Sequence, residues 1–365
     1  MRQKVMVAMS GGVDSSAALV MLKEKYDVIG VTLKLHDGEF ECDGQKTCCS
    51  LRDIDDARQV ASRFDIMHYV YNMKDLFHEK VIDRFITSYE QGMTPNPCID
   101  CNRYIKFEAL LKRAQALDCD YISTGHYARI EYSEEHGRWL LKKAVSDTGV
   151  NEKDQSYVLY DLKQEQLAHI LFPLGEMKKS EVRAFAEENG LVNAHKSDSQ
   201  DICFVPDGDY SGFIRRETGR EYPAGDVADS SGKVYGRHNG LINYTIGQRK
   251  GLGIAFGTPM YVIGKDMEKN TLVVGRAEEL LSKTLTASDM NWIAFESPEK
   301  PFKCKAKTRY RMNEQPCTVY PKDDGTVYVE FDEPQRAITP GQRVVFYDGD
   351  IVLGGGIIGN NSRIV

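Results

Sequence analysis

Residues 10–16, "SGGVDSS", combine two glycines, an aspartate and three serines between two apolar runs. In a loop that joins a strand to a helix, the backbone N–H groups of residues 11–13 and the positive end of the helix would face one point. The hydroxyl groups of Ser15 and Ser16 can add donors to an anion bound there. This pattern favours a phosphate-binding loop, and an ordinary Gly-Gly turn is the alternative.

The loop lacks the lysine of the P-loop, G-x-x-x-x-G-K-[ST], which reaches the β and γ phosphates during γ-phosphoryl transfer. A loop without it suits the retention of pyrophosphate as a leaving group while the α-phosphorus is attacked, and Asp14 is placed to help hold Mg²⁺. The motif resembles the pyrophosphate loop of the ATP pyrophosphatases, which adenylate a carbonyl or carboxyl oxygen. The resemblance implies ATP contacts from Ala8, Met9, Ser10, Gly11, Gly12, Val13, Asp14 and Ser15.

A second candidate site is the pair Cys98-x-x-Cys101, which follows the rigid segment Pro95-Asn96-Pro97 and precedes a helical pattern. Such a pair is typical of half of a zinc site or of a redox site. The chain has nine cysteines, an odd count that in a reducing compartment favours reactive or metal-binding thiols over disulfides. Spacing alone does not choose among the candidate partners of the pair, which are Cys42, Cys48, Cys49 and Cys203.

The first 125 residues alternate strand and helix patterns, which predicts a parallel sheet with helices on both faces. Ligands bind such sheets at the carboxyl ends of the strands. There Gly125 would allow close backbone approach to the nucleotide, and His126 is either a residue that reaches a bound substrate or a plain surface histidine. Leu33 is either an adenine contact or a core leucine. Strand patterns cover residues 5–9, 28–35, 66–71 and 121–123, and helical patterns cover residues 14–25, 53–64, 76–89 and 107–117.

After about residue 206 the chain becomes rich in glycine, with strand-like runs at residues 260–263 and 271–274. From about residue 285 hairpins are predicted, with turns at Asp324-Gly325 and Asp348-Gly349. We therefore expect an ATP-binding α/β domain, a small β-rich connecting domain and a C-terminal antiparallel β-barrel. The expected boundaries are residues 1–205, 206–284 and 285–365.

The segment "FKCKAKTRYR", residues 302–311, alternates cations with other residues, so a strand would place five cations on one face. Like charges in register repel one another, and counterion release on an RNA backbone would offset that cost. An ordinary solvated face is the alternative. The five cations are Lys303, Lys305, Lys307, Arg309 and Arg311.

The composition is that of a globular protein of several domains, with 365 residues, 41% of them hydrophobic, and a net charge of −7. This charge argues against a generally basic nucleic-acid binder, although a local basic face is compatible with it. No apolar run of membrane-spanning length occurs, and no leader pattern precedes the first strand. We expect a cytoplasmic protein without a membrane partner.

Seven blocks of the chain occur in the order found in the tRNA-specific 2-thiouridylases, which the sequence resembles from residue 8 to residue 342. The resemblance implies that ATP adenylates the C2 oxygen of the flipped wobble uridine, position 34, and that persulfide sulfur replaces it. By matching position, Cys101 is the nucleophilic cysteine and Cys203 carries the persulfide. The implied partners are the Lys, Glu and Gln tRNAs and a sulfur carrier or cysteine desulfurase. The blocks are "AMSGGVDSS", "GMTPNPCIDCNRYIKF", "STGHYAR", "KDQSYVLY", "SDSQDICFVP", "YTIGQRKGLG" and "AITPGQ".

Cys98 departs from one form of this family, in which an aspartate stands at its position. A thiol with a pKa near 8.5 is mostly protonated where a carboxylate is charged, so Cys98 cannot simply inherit the role of that aspartate. Cys98, Cys101 and Cys203 could hold an iron–sulfur cluster with one open iron, and a metal-free persulfide route is the alternative. The residues that the resemblance implies in tRNA binding are Asn96, Pro97, Cys98, His126, Lys153, Asp154, Gln155, Arg309, Tyr310 and Gln342.

Two other functions are compatible with parts of the sequence. Another pyrophosphate-loop enzyme, such as a GMP or argininosuccinate synthetase, would need neither the cysteine constellation nor the basic strand. A zinc-dependent RNA-binding protein would bind tRNA but release no pyrophosphate. Assays for AMP and 2-thiouridine distinguish the three functions.

Overall fold

The computed structural model describes residues 2–36, 51–146, 149–150, 152–197 and 202–360. Its strands are β1 (Lys4–Ala8), β2 (Asp27–Lys34), β3 (His68–Asn72), β4 (Tyr121–Ser123), β5 (Ala128–Ser133), β6 (Arg138–Lys143), β7 (Val145–Ser146), β8 (Gly149–Val150), β9 (Ile170–Leu171), β10 (Gly225–Asp229), β11 (Val234–His238), β12 (Tyr261–Asp266), β13 (Thr271–Gly275), β14 (Leu281–Trp292), β15 (Phe302–Lys307), β16 (Gln315–Pro321), β17 (Val327–Arg336), β18 (Arg343–Asp348) and β19 (Ile351–Ile358).

Two of the helices contain a π-helical stretch. They are α1 (Val13–Lys23), α2 (Leu51–Arg63), α3 (Lys74–Phe77, π-helical His78–Ile82 and Asp83–Glu90), α4 (Pro97–Asp100, π-helical Cys101–Ala109 and Leu110–Gln115), α5 (Ser156–Leu159), α6 (Gln164–Leu167), α7 (Lys179–Glu188) and α8 (Tyr210–Thr218). Single 3₁₀ turns cover Leu241–Asn243 and Ala277–Leu280.

The first sheet is parallel, with strand order β3-β2-β1-β4-β9. Successive side chains of β1 enter different cores: Val5 and Val7 pack with residues of α1 and α2, and Met6 packs with residues of α3 and α4. Because both faces are buried, β1 is a continuous apolar run and not an alternating one. The predicted parallel sheet with helices on both faces is confirmed.

A four-stranded sheet of order β11-β10-β13-β12 follows, around a small core that includes Val227, Val262 and Leu272. The predicted strand-like runs at residues 260–263 and 271–274 correspond to β12 and β13. The connecting part of the chain is therefore β-rich, as the sequence indicates.

The last part of the chain is a closed barrel of six strands in the order β14-β17-β16-β15-β18-β19, closed by pairing of β14 with β19. The two predicted hairpin turns lie between β16 and β17 and between β18 and β19. Gly325 and Gly349 occupy them with φ of +80° and +58°, a backbone conformation that favours glycine. The hairpin β5–β6 extends the barrel, since β6 pairs with β19.

Candidate functional site

The pyrophosphate loop lies between β1 and α1, the structural context that a phosphate-binding loop requires. Gly11 has a φ of +70°, and a Cβ atom there would lie 2.6 Å from Cα of Asp53 on α2. The Ser15 hydroxyl accepts a hydrogen bond from the Ser10 N–H (3.2 Å) and donates one to the Gly12 carbonyl (3.1 Å). The loop is thus braced by its own side chains and packed against α2.

Two residues far along the chain support this loop, and no local pattern in the sequence indicates them. Asn193 donates to the Gly11 carbonyl (3.0 Å) and to the Ser16 hydroxyl (2.8 Å). Lys196 donates to the same carbonyl (3.1 Å) and forms ion pairs with Asp53 and Asp56. The chain therefore returns to the loop after β9 to fix the backbone that would hold the phosphates.

Asp14, the expected Mg²⁺ ligand, is engaged with protein groups. Its two carboxylate oxygens each lie 2.7 Å from Nζ of Lys179, and one of them accepts a hydrogen bond from the Tyr127 hydroxyl (2.8 Å). Gly125 lies against the same residue, because a Cβ atom there would be 2.7 Å from the Asp14 carbonyl carbon. The close backbone approach predicted at Gly125 is therefore made to the loop itself.

Leu33 is buried among core residues that include Val31, Leu35 and Met73. Of its two interpretations, this packing supports the core leucine. Ala8 and Met9, at the end of β1, complete the segment that leads into the loop. The predicted ATP-binding residues thus form one continuous turn, with Leu33 on the neighbouring strand.

The cysteine pair lies on helix α4, which begins at Pro97, earlier than the helical pattern at residues 107–117 predicts. The Asn96 side chain caps the helix by accepting a hydrogen bond from the Cys98 N–H (3.2 Å), and proline is well suited to the first helical position. Cys98 is exposed and Cys101 is buried. The π-helical stretch starts at Cys101, and such stretches occur frequently at functional sites.

Cys203 comes from the far end of the first domain and packs against the core cluster that contains Cys101. Its neighbour Phe204 anchors the turn, with its ring 5.8 Å from that of Phe77 and 5.3 Å from that of Phe85. Cys42, Cys48 and Cys49 lie outside the described residues. Within the part of the chain that the structure describes, no group of three His, Cys, Asp or Glu side chains could hold a metal ion.

The helix that carries the cysteines is bound to the barrel through a buried ion pair. Asp100, between the two cysteines, is 3% exposed and lies 3.3 Å from Nη2 of Arg343, which is 5% exposed. Burial raises the pKa of Asp100, and the charges of Arg343 and Arg84 oppose that shift. Arg103, two residues after Cys101, bonds Asp289 of β14 as a second link (3.0 Å).

The loop before β18 also binds the backbone in front of the cysteines. The Thr94 N–H donates to the Pro340 carbonyl (2.9 Å), and the Gln342 side chain donates to the Thr94 carbonyl (2.8 Å). At Gly341 a Cβ atom would lie 2.8 Å from Cβ of Met93, so only glycine permits this approach. Gln342, expected to meet tRNA, thus holds the segment that leads to Cys98.

A hydrogen-bonded path leads from the pyrophosphate loop to Tyr310, in the turn after β15. Tyr127, bonded to Asp14, exchanges hydrogen bonds with Gln155 through the Gln155 side chain (2.9 Å) and backbone N–H (2.8 Å). The preceding residue, Asp154, accepts at its carbonyl a hydrogen bond from the Tyr310 hydroxyl (3.2 Å). Burial, then the Asp154 carboxylate, raises the pKa of Tyr310, and the charge of Arg311 opposes that shift.

His126 is fixed between two aromatic rings, with centroids 5.9 Å from Phe107 and 6.0 Å from Phe172. Its Nδ1 atom is 2.7 Å from the Thr124 hydroxyl. Burial, aided by the charge of Lys106, lowers the pKa of His126 well below its usual value. The imidazole is therefore neutral near pH 7, and it is a packed group and not a plain surface histidine.

The prediction of five cations on one strand face is wrong for two of them. Strand β15 ends at Lys307, so Arg309 and Arg311 lie after it. Arg309 turns inward and donates to the Ala337 carbonyl (2.8 Å), because the buried carbonyls of that loop need donors. Lys303 and Lys305 are exposed and remain on the outward face.

The comparisons with known proteins agree with this architecture. Family profiles described as "tRNA methyl transferase HUP domain", "tRNA methyl transferase PRC-barrel domain" and "Aminomethyltransferase beta-barrel domain" match residues 3–207, 211–276 and 282–358. These matches define a three-domain protein with a HUP-type nucleotide-binding domain.

Relatives that match over nearly the whole chain identify the family more narrowly than the domain profiles do. The tRNA-specific 2-thiouridylase MnmA 2 of Caldanaerobacter subterraneus subsp. tengcongensis is 54% identical over 363 residues, 99% of each chain. The tRNA-specific 2-thiouridylase MnmA of Acetivibrio thermocellus is 52% identical over 360 residues, 98% of this chain and 99% of that protein. The chain belongs to the tRNA-specific 2-thiouridylase family, and the resemblance indicated by its motifs is confirmed.

Among solved structures, the U34-tRNA thiolase NcsA from Methanococcus maripaludis matches with a TM-score of 0.33 at 19% identity. The match covers 59% of this chain and 66% of that chain, and a structural similarity this low supports no conclusion about the candidate site. In the described ranges, no helix has the length and apolar character needed to cross a membrane.

Replacing Arg343 with methionine should lower the free energy of unfolding by about 3–5 kcal/mol, because Asp100 would stay buried without its cation. The double variant Arg343→Met, Asp100→Leu should recover most of that loss. Chemical denaturation measures both effects. Arg220→Met, which removes an exposed ion pair with Glu90, is the control and should cost much less. A double variant no more stable than Arg343→Met alone would contradict the role of the buried pair.

Proposed function

We propose that the protein thiolates C2 of the wobble uridine, position 34, of tRNA at the expense of ATP. The observation that carries the proposal is that Cys101 and Cys203 border one buried core cluster in the domain that also contains the pyrophosphate loop. Hydrogen bonds from Asp14 through Tyr127 and residues 154–155 connect that loop to Tyr310, so the nucleotide loop and the reactive thiols belong to one packed unit. Membership of the 2-thiouridylase family supports the same reaction.

The proposed reaction has two stages. In the first, the C2 oxygen of uridine attacks the α-phosphorus of ATP, an O–P bond forms and pyrophosphate leaves. In the second, the terminal sulfur of a Cys203 persulfide attacks C2, and AMP leaves with the former C2 oxygen. The Cys101 thiolate then attacks Cys203 Sγ, which releases 2-thiouridine and leaves a Cys101–Cys203 disulfide. A thiol reductant restores the two cysteines for the next turnover.

The environment of each cysteine suits these roles. Cys98 is exposed at the start of α4, whereas Cys101 is buried one turn further on and Cys203 is half-buried. A buried nucleophile is protected from oxidation until the flipped base opens its surroundings. Both Cys101 and Cys203 border the same apolar core, which limits the access of water to a persulfide or an adenylated base.

No step is assigned to a metal ion. The expected iron–sulfur ligands Cys98, Cys101 and Cys203 do not form a metal-holding group among the described residues, so the arrangement does not fit a cluster. Asp14, the expected Mg²⁺ ligand, already bonds Lys179 and Tyr127. We propose ATP with Mg²⁺ as the nucleotide, with the backbone of the pyrophosphate loop as the part of the protein that holds its phosphates.

The proposed tRNA surface combines the first domain and the barrel. Tyr310 is 39% exposed, and an exposed aromatic ring can stack on a flipped base. Cys98 is exposed, and Asn96, Lys153 and His126 are the further residues of the first domain proposed to contact tRNA. By family resemblance the substrates are the Lys, Glu and Gln tRNAs, and a sulfur carrier or cysteine desulfurase loads Cys203.

One experiment tests the proposed function directly. The protein is incubated with ATP, unmodified tRNA and a cysteine desulfurase with cysteine, which delivers persulfide sulfur to Cys203, and AMP, pyrophosphate and 2-thiouridine are measured. We expect all three products, with AMP formed only when tRNA is present. Pyrophosphate release without 2-thiouridine would assign the protein to another adenylating reaction, and tRNA binding without either product would make it a binding protein.

Cys101→Ala and Cys203→Ala should each abolish thiolation, since the nucleophile and the sulfur carrier are both indispensable. On the metal-free route Cys98→Ala should keep partial activity and Cys98→Asp should be tolerated. With an iron–sulfur cluster, Cys98→Ala should lose iron and thiolation together, which anaerobic purification with iron and sulfide analysis would show. Cys119→Ala, which changes a buried cysteine elsewhere in the domain, is the control. Full sulfur transfer by Cys203→Ala would remove that residue as the carrier.

Replacing Lys303 and Lys305 with glutamine should weaken tRNA binding and reduce its salt dependence, by about 0.7–0.9 in the logarithmic slope for each phosphate that is no longer neutralised. Titrations at several salt concentrations measure the slope. Lys283→Gln is the control, because Lys283 is exposed on β14, across the barrel from β15. An unchanged slope in the Lys303, Lys305 variant would make this face an ordinary solvated one.

A further inference from the structure

The pyrophosphate loop contains no cation of its own, although it is proposed to hold the strongly anionic end of ATP. Residues 10–16 include one carboxylate, Asp14, and the backbone of a second acidic residue, Asp53, lies against Gly11. A lysine fills this need in the P-loop. The positive charge must therefore come from elsewhere in this chain.

Two lysines from the later part of the first domain reach the loop, and their surroundings differ. Lys196 is bonded to the Gly11 carbonyl, Asp53 and Asp56, all of which belong to the loop backbone or to α2 behind it. Lys179 instead meets Asp14, the first acidic residue after the loop glycines, at 2.7 Å from both carboxylate oxygens. Lys196 stabilises the loop, whereas Lys179 reaches the side of α1 that borders β4.

The position of Lys179 is fixed by packing. It is the first residue of α7, and it is 8% exposed. Helix α7 packs on α1 through Val182, which shares a buried cluster with Ala17 and Tyr127. The Tyr127 hydroxyl holds the same carboxylate (2.8 Å), so the Lys179 ammonium is oriented from two sides. A charge held in this way needs little reorganisation when an anion arrives.

We propose that Lys179 binds the pyrophosphate end of ATP, the task that the P-loop lysine performs in other nucleotide sites, and that Asp14 holds the ammonium in place beforehand. The inference rests on the use of ATP in the proposed function. It gives Asp14 a positioning role in place of metal binding. It also explains why a residue 165 positions away in the sequence is bonded to the loop.

The test is a comparison of nucleotide affinities in the absence of tRNA, by calorimetry on the full-length protein. Lys179→Met should weaken the binding of ATP and of inorganic pyrophosphate by about 10- to 100-fold, the size of a charge-assisted hydrogen bond. The binding of AMP, which lacks the β and γ phosphates, should change less than twofold. Lys179→Arg should retain most of the ATP affinity, because it preserves the charge.

Lys178→Met is the matched control, since it removes the same charge one residue earlier in the chain, and it should bind all three ligands normally. Lys179→Gln is measured beside Lys179→Met, and thermal unfolding of each variant reports its folding. Equal losses for ATP and AMP, or an unchanged ATP affinity, would overturn the assignment. Wild-type protein that bound neither ATP nor pyrophosphate would overturn the proposed function itself, whereas normal wild-type binding with unaffected variants would overturn the role of Lys179 alone.

Discussion

The buried ion pair between Asp100 and Arg343 is the interaction on which the candidate site depends. A carboxylate that is 3% exposed needs a cation, because the free energy of an unpaired buried charge is high. Burial raises the pKa of Asp100, and Arg343 counteracts that effect. Asp100 belongs to the helix of Cys98 and Cys101, whereas Arg343 belongs to the barrel. The cysteine helix is therefore fully stabilised only when the barrel is docked.

The same barrel loop makes further contacts that support this dependence. Pro340 and Gln342 bind the backbone at Thr94, and Gly341 lets the two segments approach closely. Tyr310, from the turn after β15, donates a further hydrogen bond to the Asp154 carbonyl of the first domain. The site is thus composite, and a tRNA held by the barrel in the proposed function is held in a fixed position relative to the reactive thiols.

The nucleotide end of the site is supported in a comparable way from within the first domain. The pyrophosphate loop supplies the backbone, whereas Asn193 and Lys196 fix that backbone through hydrogen bonds to the Gly11 carbonyl. Lys179 forms an ion pair with Asp14 of the same loop. Each of these side chains comes from the segment after β9, the last strand of the parallel sheet. The domain therefore needs its final strand and helix to complete a loop that begins after its first strand.

Much of the architecture follows from local sequence patterns. Apolar runs, helical spacing and Asp-Gly turns predict the parallel sheet, most of its helices and the barrel hairpins, because periodicity and backbone preference act between near neighbours. The pyrophosphate loop was predictable for the same reason, since its glycines and serines are contiguous. The cysteine pair was recognisable by its spacing. The helix that carries the pair begins earlier than the apolar pattern of the sequence predicts, because Pro97 occupies its first position and the Asn96 side chain caps it.

Tertiary structure alone decided the rest. Arg309 belongs to an alternating sequence pattern that predicts an outward-facing side chain. The strand ends before Arg309, however, and the side chain turns inward to donate a hydrogen bond to the buried Ala337 carbonyl. Gln342 and Gly125 contact distant backbone segments of this protein, and their expected ligand contacts stay predictions. Lys179, Asn193, Lys196 and Arg343 meet partners more than 130 residues away. Such contacts depend on how the domains and helices pack, and the spacing of residues along the chain carries no record of that packing.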